Sequence, residues 1–345
     1  MEPEEAGKVK KLGIKSFRGL ESLFVPKPKE AIVAVNNSEI VAAVIVKFMT
    51  DKNNQKVGYV DFAFVDRAYH NQGIGGQIYK EAIAYLWEQG CSFVTTLVKD
   101  DNAGSWSLFL KNGFARVGLY HVLTHLGLKG FLNQLIHTAL GWAHGMDFYM
   151  AEQRQTAGQR DKSTLSHIME YLLVNLLLSL LMALYMEITD TAVFAGAFLT
   201  VLAVSVFAGY IGTLFNRRKW KFRFIKSGFF TSVVILLIGG VFPMIGSWYP
   251  EEYEKTEEFK KDLGVSAWAA WLGVILSAAV SFAPGLDYPF FRYLYTISSV
   301  LLFYRILAVY PFSGFGGSRV FNWNKIIYGF TAAVSAVIIF SGGTI

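Results

Sequence analysis

Twelve residues, Val65-Asp66-Arg67-Ala68-Tyr69-His70-Asn71-Gln72-Gly73-Ile74-Gly75-Gly76, leave a β-branched run and enter a segment of helical spacing. Glycines there let the backbone turn sharply, so that successive N–H groups point into one concavity. The following helix adds the partial positive charge of its N-terminus, and a pyrophosphate fits such a nest. A G-x-G pattern is also an ordinary tight turn, so both readings stand on this segment alone. Two dinucleotide readings fail: position 78 is isoleucine, which breaks G-x-G-x-x-G, and no G-K-S/T is present for a P-loop. About thirty residues on, Asp101-Asn102-Ala103-Gly104-Ser105-Trp106-Ser107-Leu108-Phe109-Leu110-Lys111-Asn112-Gly113-Phe114 follows another apolar run and reads as a short helix with a glycine stop.

Together the two stretches resemble the GNAT acyltransferase superfamily. That family carries a Q/R-x-x-G-x-G/A turn after its fourth strand and an N-x-x-A/S-x-x-L-Y/F-x-K-x-G-F stretch further on. Order, spacing and the intervening helix and strand all match, and the resemblance covers Lys10–Glu152. It implies that acetyl-CoA or another acyl-CoA is the co-substrate. Backbone N–H groups of Gln72, Gly73, Ile74, Gly75 and Gly76 would hold its pyrophosphate. Val65 would bond the pantetheine or thioester through its backbone, and Asn102 would contact the pantetheine arm. The implied chemistry is direct attack of an amine on the thioester: a base takes the amine proton, backbone donors hold the oxyanion, and an acid protonates the thiolate. The chain departs from the pattern twice. His70 stands where Gln or Arg is usual, and Phe109 occupies the place of the thiolate-protonating tyrosine. Tyr120 and His121, expected on the next strand, or a water, would substitute. Asp61, four residues before Val65, is the candidate base; a solvent-facing strand residue is the equal alternative, and His121 is equally an ordinary polar side chain.

These residues need a scaffold. Ala31–Val35 and Ile40–Lys47 are apolar, β-branched runs around Asn36-Asn37-Ser38, a hairpin signal. Lys56–Val65 reads as a third strand, and Ile78, Ile83, Leu86 and Trp87 mark a helix ended by Gly90. Ser92–Val98, Ala115–His121 and Asp147–Glu152 read as further strands. The expectation is an α/β domain, a mixed sheet with flanking helices. An insert, Leu123–His144, places Leu128, Leu132, Leu135, Ala139 and Trp142 on one helical face. It reads either as a helix packed on its own domain or, the reading favoured here, as an interfacial helix with Trp142 at headgroup level.

The chain of 345 residues is 53% hydrophobic and 17% charged, with a mean hydropathy of +0.36, too apolar for an ordinary soluble protein. Charges are frequent up to Lys162 and sparse beyond, which predicts an acyltransferase domain over 1–155 and an all-α polytopic membrane domain over 156–345. A single cysteine, Cys91, excludes an intrachain disulfide and a cysteine metal cluster. The net charge of +6 sits largely beside apolar segments, so it reads as membrane topology rather than nucleic-acid binding. The N-terminus shows no apolar signal region, which predicts a cytoplasmic N-terminal domain.

Six stretches approach the ~20 apolar residues that cross a bilayer: Ile168–Met186, Val193–Leu214, Gly228–Trp248, Ser266–Phe282, Phe290–Tyr310 and Ile326–Phe340. Asn216–Lys226 carries six Lys and Arg and no acid, so it is expected on the cytoplasmic side. Pro250–Asp262, with six acids against three lysines, is expected on the other. Tyr304–Asn324 resembles the N-x-x-P-x-x-P-L-D-G-x-K-V-x-x-W-N region of membrane-embedded site-2 zinc proteases, and Asn216–Arg223 resembles the segment after their first ligand helix. No H-E-x-x-H exists, the corresponding Ser205–Gly209 has neither histidine nor glutamate, and Gly316 replaces the metal-binding aspartate. No metal is expected, and the resemblance would mark a dead protease scaffold; chance similarity of Gly/Pro-rich turns is the equal alternative. Arg305, inside an expected span, needs a partner or a polar cavity: a salt bridge to Glu187 or Asp190 is the first reading, and recognition of a lipid headgroup or acyl-acceptor ranks below it. The chain thus reads as an integral, multi-pass N-acyltransferase whose amine acceptor is not legible. The alternative is a regulatory membrane protein that binds acyl-CoA without turnover.

Overall fold

The structure, a computed structural model, describes residues 1–17, 19–70, 72–99, 102–138, 146–152, 163–225, 228–254, 256–282, 288–308 and 312–341. The chain divides into two compact units near residue 160.

The N-terminal unit is a six-stranded sheet of order β1-β2-β3-β4-β6-β5. Its strands are β1 (Glu30–Asn36), β2 (Glu39–Thr50), β3 (Lys56–Val65), β4 (Phe93–Lys99), β5 (Ala115–Val117) and β6 (Met146–Glu152), with helices α1 (Ala6–Ser16), α2 (Ile74–Glu88), α3 (Ala103–Lys111) and α4 (Leu119–His137). Period-2 alternation sorts the faces. Gly58 meets Leu86 of α2 on one side. On the other, Ala43, Ile45 and Phe64 pack with Val9 and Leu12 of α1, and Met49, Val57 and Tyr59 pack with Val122 and Leu126 of α4. Helix α1 is written in lysines, yet Ala6, Val9, Leu12 and Gly13 form a buried stripe. A Cβ at Gly13 would stand 2.7 Å from Val25.

The strand expected over Ala115–His121 stops at Val117, because Gly118 starts α4 there. Tyr120 and His121 therefore lie on a helix and not on a strand. Helix α4 joins two segments across Gly127, whose φ of +69° and a Cβ position only 2.5 Å from Lys52 both demand glycine. Its buried stripe is Val122, Leu126, Gly130 and Gln134, held to the end of β2 and the turn after it by Lys52 N–H to Leu126 O at 2.8 Å and Asn133 Nδ2 to Thr50 O at 3.3 Å. The insert thus packs on its own domain, while Leu128, Leu132 and Ile136 stay exposed on another face. Ala139 and Trp142 lie outside the described residues.

The second unit contains α5 (Thr164–Tyr185), α6 (Thr191–Thr213), β7 (Trp220–Ile225), α7 (Phe229–Leu237), β8 (Ile245–Pro250), α8 (Glu257–Val280), α9 (Pro289–Ile306), α10 (Gly317–Trp323) and α11 (Lys325–Ser341). Helices α5, α6 and α8, of 22, 23 and 24 residues, are long and apolar enough to cross a membrane. Helices α6 and α8 approach closely over small residues: a Cβ at Gly212 or Gly273 would stand 2.8 Å from an alanine Cβ of the other helix. Indole donors tie α8 to α11, Trp268 Nε1 to Thr331 Oγ1 at 3.1 Å and Trp271 Nε1 to Ser335 Oγ at 2.9 Å.

Two expectations about the spans and loops are corrected. Gly228–Trp248 is not a span: α7 has 9 residues, about 14 Å of helix, and β8 then pairs antiparallel with β7. The basic and acidic segments consequently do not face opposite sides. They meet, with Arg218 Nε 2.6 Å from Asp262 Oδ2 and Nη2 2.9 Å from Glu254 Oε2, and Glu251 N–H bonded to Lys219 O at 2.9 Å. Hydrogen bonding to these carboxylates drives the Arg218 pKa up, and Arg218 in turn pulls that of Glu254 down. Arg305 also finds neither Glu187 nor Asp190; its Nη2 donates to Ser205 Oγ at 2.8 Å.

Candidate active site

Strands β3 and β4 run parallel and pair only from Val57↔Phe93 to Val60↔Thr96. Beyond that point β3 continues to Val65 and β4 to Lys99. Their outer edges remain held, β3 by β2 as far as Val65↔Ala42 and β4 by β6 as far as Lys99↔Met146. The inner edges part, and the fork exposes backbone groups that a strand-like ligand can pair with. A bulge sets the divergence: Ile45 of β2 faces both Asp61 and Phe62, between the pairs Val44↔Ala63 and Val46↔Val60. The extra residue bends and re-aims the bulged strand.

At the mouth of the fork the chain turns through Arg67–Tyr69 into α2. Gly73, the N-cap of α2, has φ +80°, a conformation that favours glycine. The first helical bond is Gln77 N–H to Gly73 O at 3.2 Å, so the amides of Ile74, Gly75 and Gly76 precede it and point out of the helix end. A Cβ on Gly73 would meet no atom within 4 Å, and one on Gly75 would lie 3.7 Å from Val65 Cγ2. The helix end therefore sits beside the tip of β3 with open space before its amides, and these residues fit a pyrophosphate. His70, unusual by motif, has its Nε2 2.9 Å from Val65 O. It closes the turn on the carbonyl of Val65, a residue expected to meet the pantetheine or thioester through its backbone. Gln72 Nε2 donates to Ala68 O at 3.3 Å. Asn102 caps α3, its Oδ1 accepting from Ser105 N–H at 3.2 Å, which leaves its amide NH₂ free of that bond.

Asp61 lies one residue past the last β3–β4 pair, at the apex of the fork. Its side chain is 6% exposed and pairs with Lys47 Nζ at 2.7 Å; Lys47 also donates to His137 O at 2.7 Å. Burial pushes the Asp61 pKa up, and Lys47 limits the rise. It is thus no solvent-facing strand residue but a buried carboxyl paired with a lysine. Sequence reasoning does not single out Lys47. The signal is the hairpin register, since Lys47 pairs with Tyr59, two residues before Asp61. On the same face Gln134 of α4 accepts from Thr95 Oγ1 at 3.2 Å.

The expected acids are not brought to this apex. Tyr120 is 82% exposed. His121 stacks on His125 at 3.9 Å, and His125 packs against Phe93, the first residue of β4, at the end remote from the fork. Burial, then His125, pulls the His121 pKa down, against Glu152. Phe109 is buried between Tyr79 (5.1 Å) and Phe114 (5.0 Å). Tyr79, which by sequence pattern is only another residue of α2, is kept protonated by burial against a hydrogen bond to the Ser105 side chain.

Known proteins share this region. Residues 10–114 match the acetyltransferase (GNAT) family. The N-alpha-acetyltransferase MAK3 of Arabidopsis thaliana is 28% identical over 110 residues, 32% of this chain and 57% of the relative, so the chain spans little more than half of it. Among solved structures, a chain of the NatC complex bound to Gag peptide and CoA aligns at 16% identity over 44% of this chain and 92% of its own, TM-score 0.32. The ribosomal-protein-S18-alanine N-acetyltransferase of Escherichia coli aligns at 16% over 47% and 96%, TM-score 0.31. Residues 10–114 of the chain are thus similar to the acetyltransferase (GNAT) family.

Proposed function

We propose that the N-terminal unit transfers an acyl group, acetyl in the first instance, from acyl-CoA to an amine by direct attack. The observation that carries this reading is the fork beyond Val60/Thr96 with the α2 amides at its mouth. The helix end of Gln72–Gly76 takes the pyrophosphate, favoured by unpaired N–H groups and the helix dipole. The free edge of β3 up to Val65 pairs with the pantetheine chain, and the Asn102 side chain meets its arm. Asp61 receives the proton of the attacking amine, and Lys47 holds its carboxylate in place. Backbone N–H groups of the parted strand stabilise the oxyanion. Tyr79, packed on Phe109, supplies a protonated phenol where Phe109 has none. The likeness to an N-alpha-acetyltransferase favours the α-amine of a polypeptide as acceptor.

The second unit anchors the enzyme as a multi-pass membrane domain, supported by α5, α6 and α8. The basic segment 216–226 favours a cytoplasmic placement of its side, since Lys and Arg dominate the positive-inside bias and acids count little. Exposed Leu128, Leu132 and Ile136 on α4 suit contact with the bilayer. Ser205, Gly209 and Gly316, the positions of the missing protease ligands, line one cavity, which supports descent from a protease scaffold that has lost its metal.

Purified full-length protein with acetyl-CoA and a panel of amines, including N-terminal peptides, should release free thiol with at least one of them. Tight CoA binding without thiol release from any amine would overturn the enzyme reading and favour a regulatory acyl-CoA sensor.

A further inference from the structure

Inside the second unit lies a cavity of about 30 Å³, room for roughly two water-sized groups. Its wall includes Ser205 and Gly209 of α6, Ser247 of β8, Ser266 of α8, Arg305 of α9 and Gly316. Arg305 is 7% exposed on a helix face whose other buried residues are Leu294, Ile297, Ser298, Leu301 and Leu302. A guanidinium carries five N–H donors and keeps its charge. Here Nη2 donates to Ser205 Oγ, while Nε is buried without a partner. Nη1 lies 3.5 Å from where a Cβ on Gly316 would stand. Among the described residues no carboxylate pairs with Arg305. Arg319, itself buried, donates to Ser247 Oγ at 2.7 Å and to the Tyr249 hydroxyl. Each of the two serine hydroxyls thus accepts from an arginine and keeps its own proton to donate.

We propose that this cavity is an anion-binding site that takes one monovalent carboxylate or halide, held by Arg305 Nη1 and by the hydroxyls of Ser205 and Ser247. An uncompensated buried charge is strongly destabilising; Arg305 and the hydroxyls of Ser205 and Ser247 offer donors at the cavity wall, while Ser266 Oγ donates to Gly209 O at 3.0 Å. The positive charge of Arg305 at the cavity wall balances one negative charge, as on a carboxylate or a halide, and not the two of a phosphate dianion. A free small anion and the head of an apolar-tailed acid share this chemistry.

The test is thermal unfolding of full-length protein in nonionic detergent, at constant ionic strength, with sodium gluconate replaced stepwise by sodium chloride, acetate or phosphate. A second arm titrates laurate against lauryl alcohol. Chloride and acetate should raise the midpoint saturably, phosphate should match gluconate, and Arg305→Met should abolish the response. Ser205→Ala should weaken the apparent Kd about tenfold. Laurate acting at lower concentration than acetate, with the alcohol inert, assigns the site to an amphiphile, and equal potency assigns it to a free anion. No anion-specific shift in the wild type, or the same shift in Arg305→Met, overturns the proposal. If Arg305→Met does not fold, an unchanged Kd in Ser205→Ala overturns it.

Discussion

Replacing Gly75 with alanine separates the two reasons a glycine can occupy the first turn of α2. If the fold needs it, the methyl must collide; its nearest contact is instead Val65 Cγ2 at 3.7 Å, an ordinary van der Waals distance. Gly75 also has no positive φ. The substitution removes backbone freedom from the unfolded chain and should stabilise the folded domain by ~0.4–1 kcal/mol, raising its midpoint by roughly 1–4 °C. The same methyl stands beside the amide row that precedes the Gln77–Gly73 bond. Displacing one amide–phosphate hydrogen bond costs ~1.5–3 kcal/mol, a loss of roughly 10- to 150-fold in CoA affinity. Calorimetric titration of CoA into the full-length variant, with thermal unfolding of the same preparation, reads both. A wild-type Kd alongside a raised midpoint would refute the placement of the pyrophosphate at this helix end.

Asp61→Asn should lower kcat by ~10²–10⁴-fold, the range of a positioned general base, and leave CoA affinity unchanged. The wild-type pH–rate profile should show an acid limb above the ordinary carboxylate range, absent in the variant. The sign for stability comes from the raised pKa: the folded chain keeps a proton the unfolded chain has lost, so Asp61 favours folding most at low pH and that contribution fades as pH rises through the folded pKa. Unfolding midpoints across that range should fall with pH in the wild type more steeply than in Asp61→Asn. For the second unit, cysteines at Lys219→Cys and Glu257→Cys should react with an impermeant maleimide from the same side of sealed vesicles. Cys91, buried and pushed up to about 11, stays silent, and labelling from opposite sides would refute the shared face.

Local signals are legible wherever the physics is local. The hairpin at Asn36–Ser38, the turn at Gly73 and the stop at Gly90 are set by backbone preferences of a few neighbouring residues, and they lie where the sequence puts them. The lysine-rich α1 is invisible in sequence because its buried stripe is only four residues and its partners, Val25 and Phe64, come from elsewhere in the chain. Tyr120 and His121 read as strand from β-prone neighbours; β5, at the sheet edge, instead ends against β6 after three residues.

The sequence by itself determined the two-part composition, the apolar lengths of α5, α6 and α8, and the glycine turn that opens a helix end. Only tertiary structure decided what those parts face. A hydropathy window cannot distinguish one long apolar helix from a short helix and an apolar strand, so Gly228–Trp248 has the profile of a span although β8 pairs with β7. Charge counting separates two loops that Arg218, Glu254 and Asp262 in fact join. The base candidate becomes a buried carboxyl through Lys47, fourteen residues away and brought over by strand register. Pairings of this kind depend on distance in space, which local composition and periodicity do not encode.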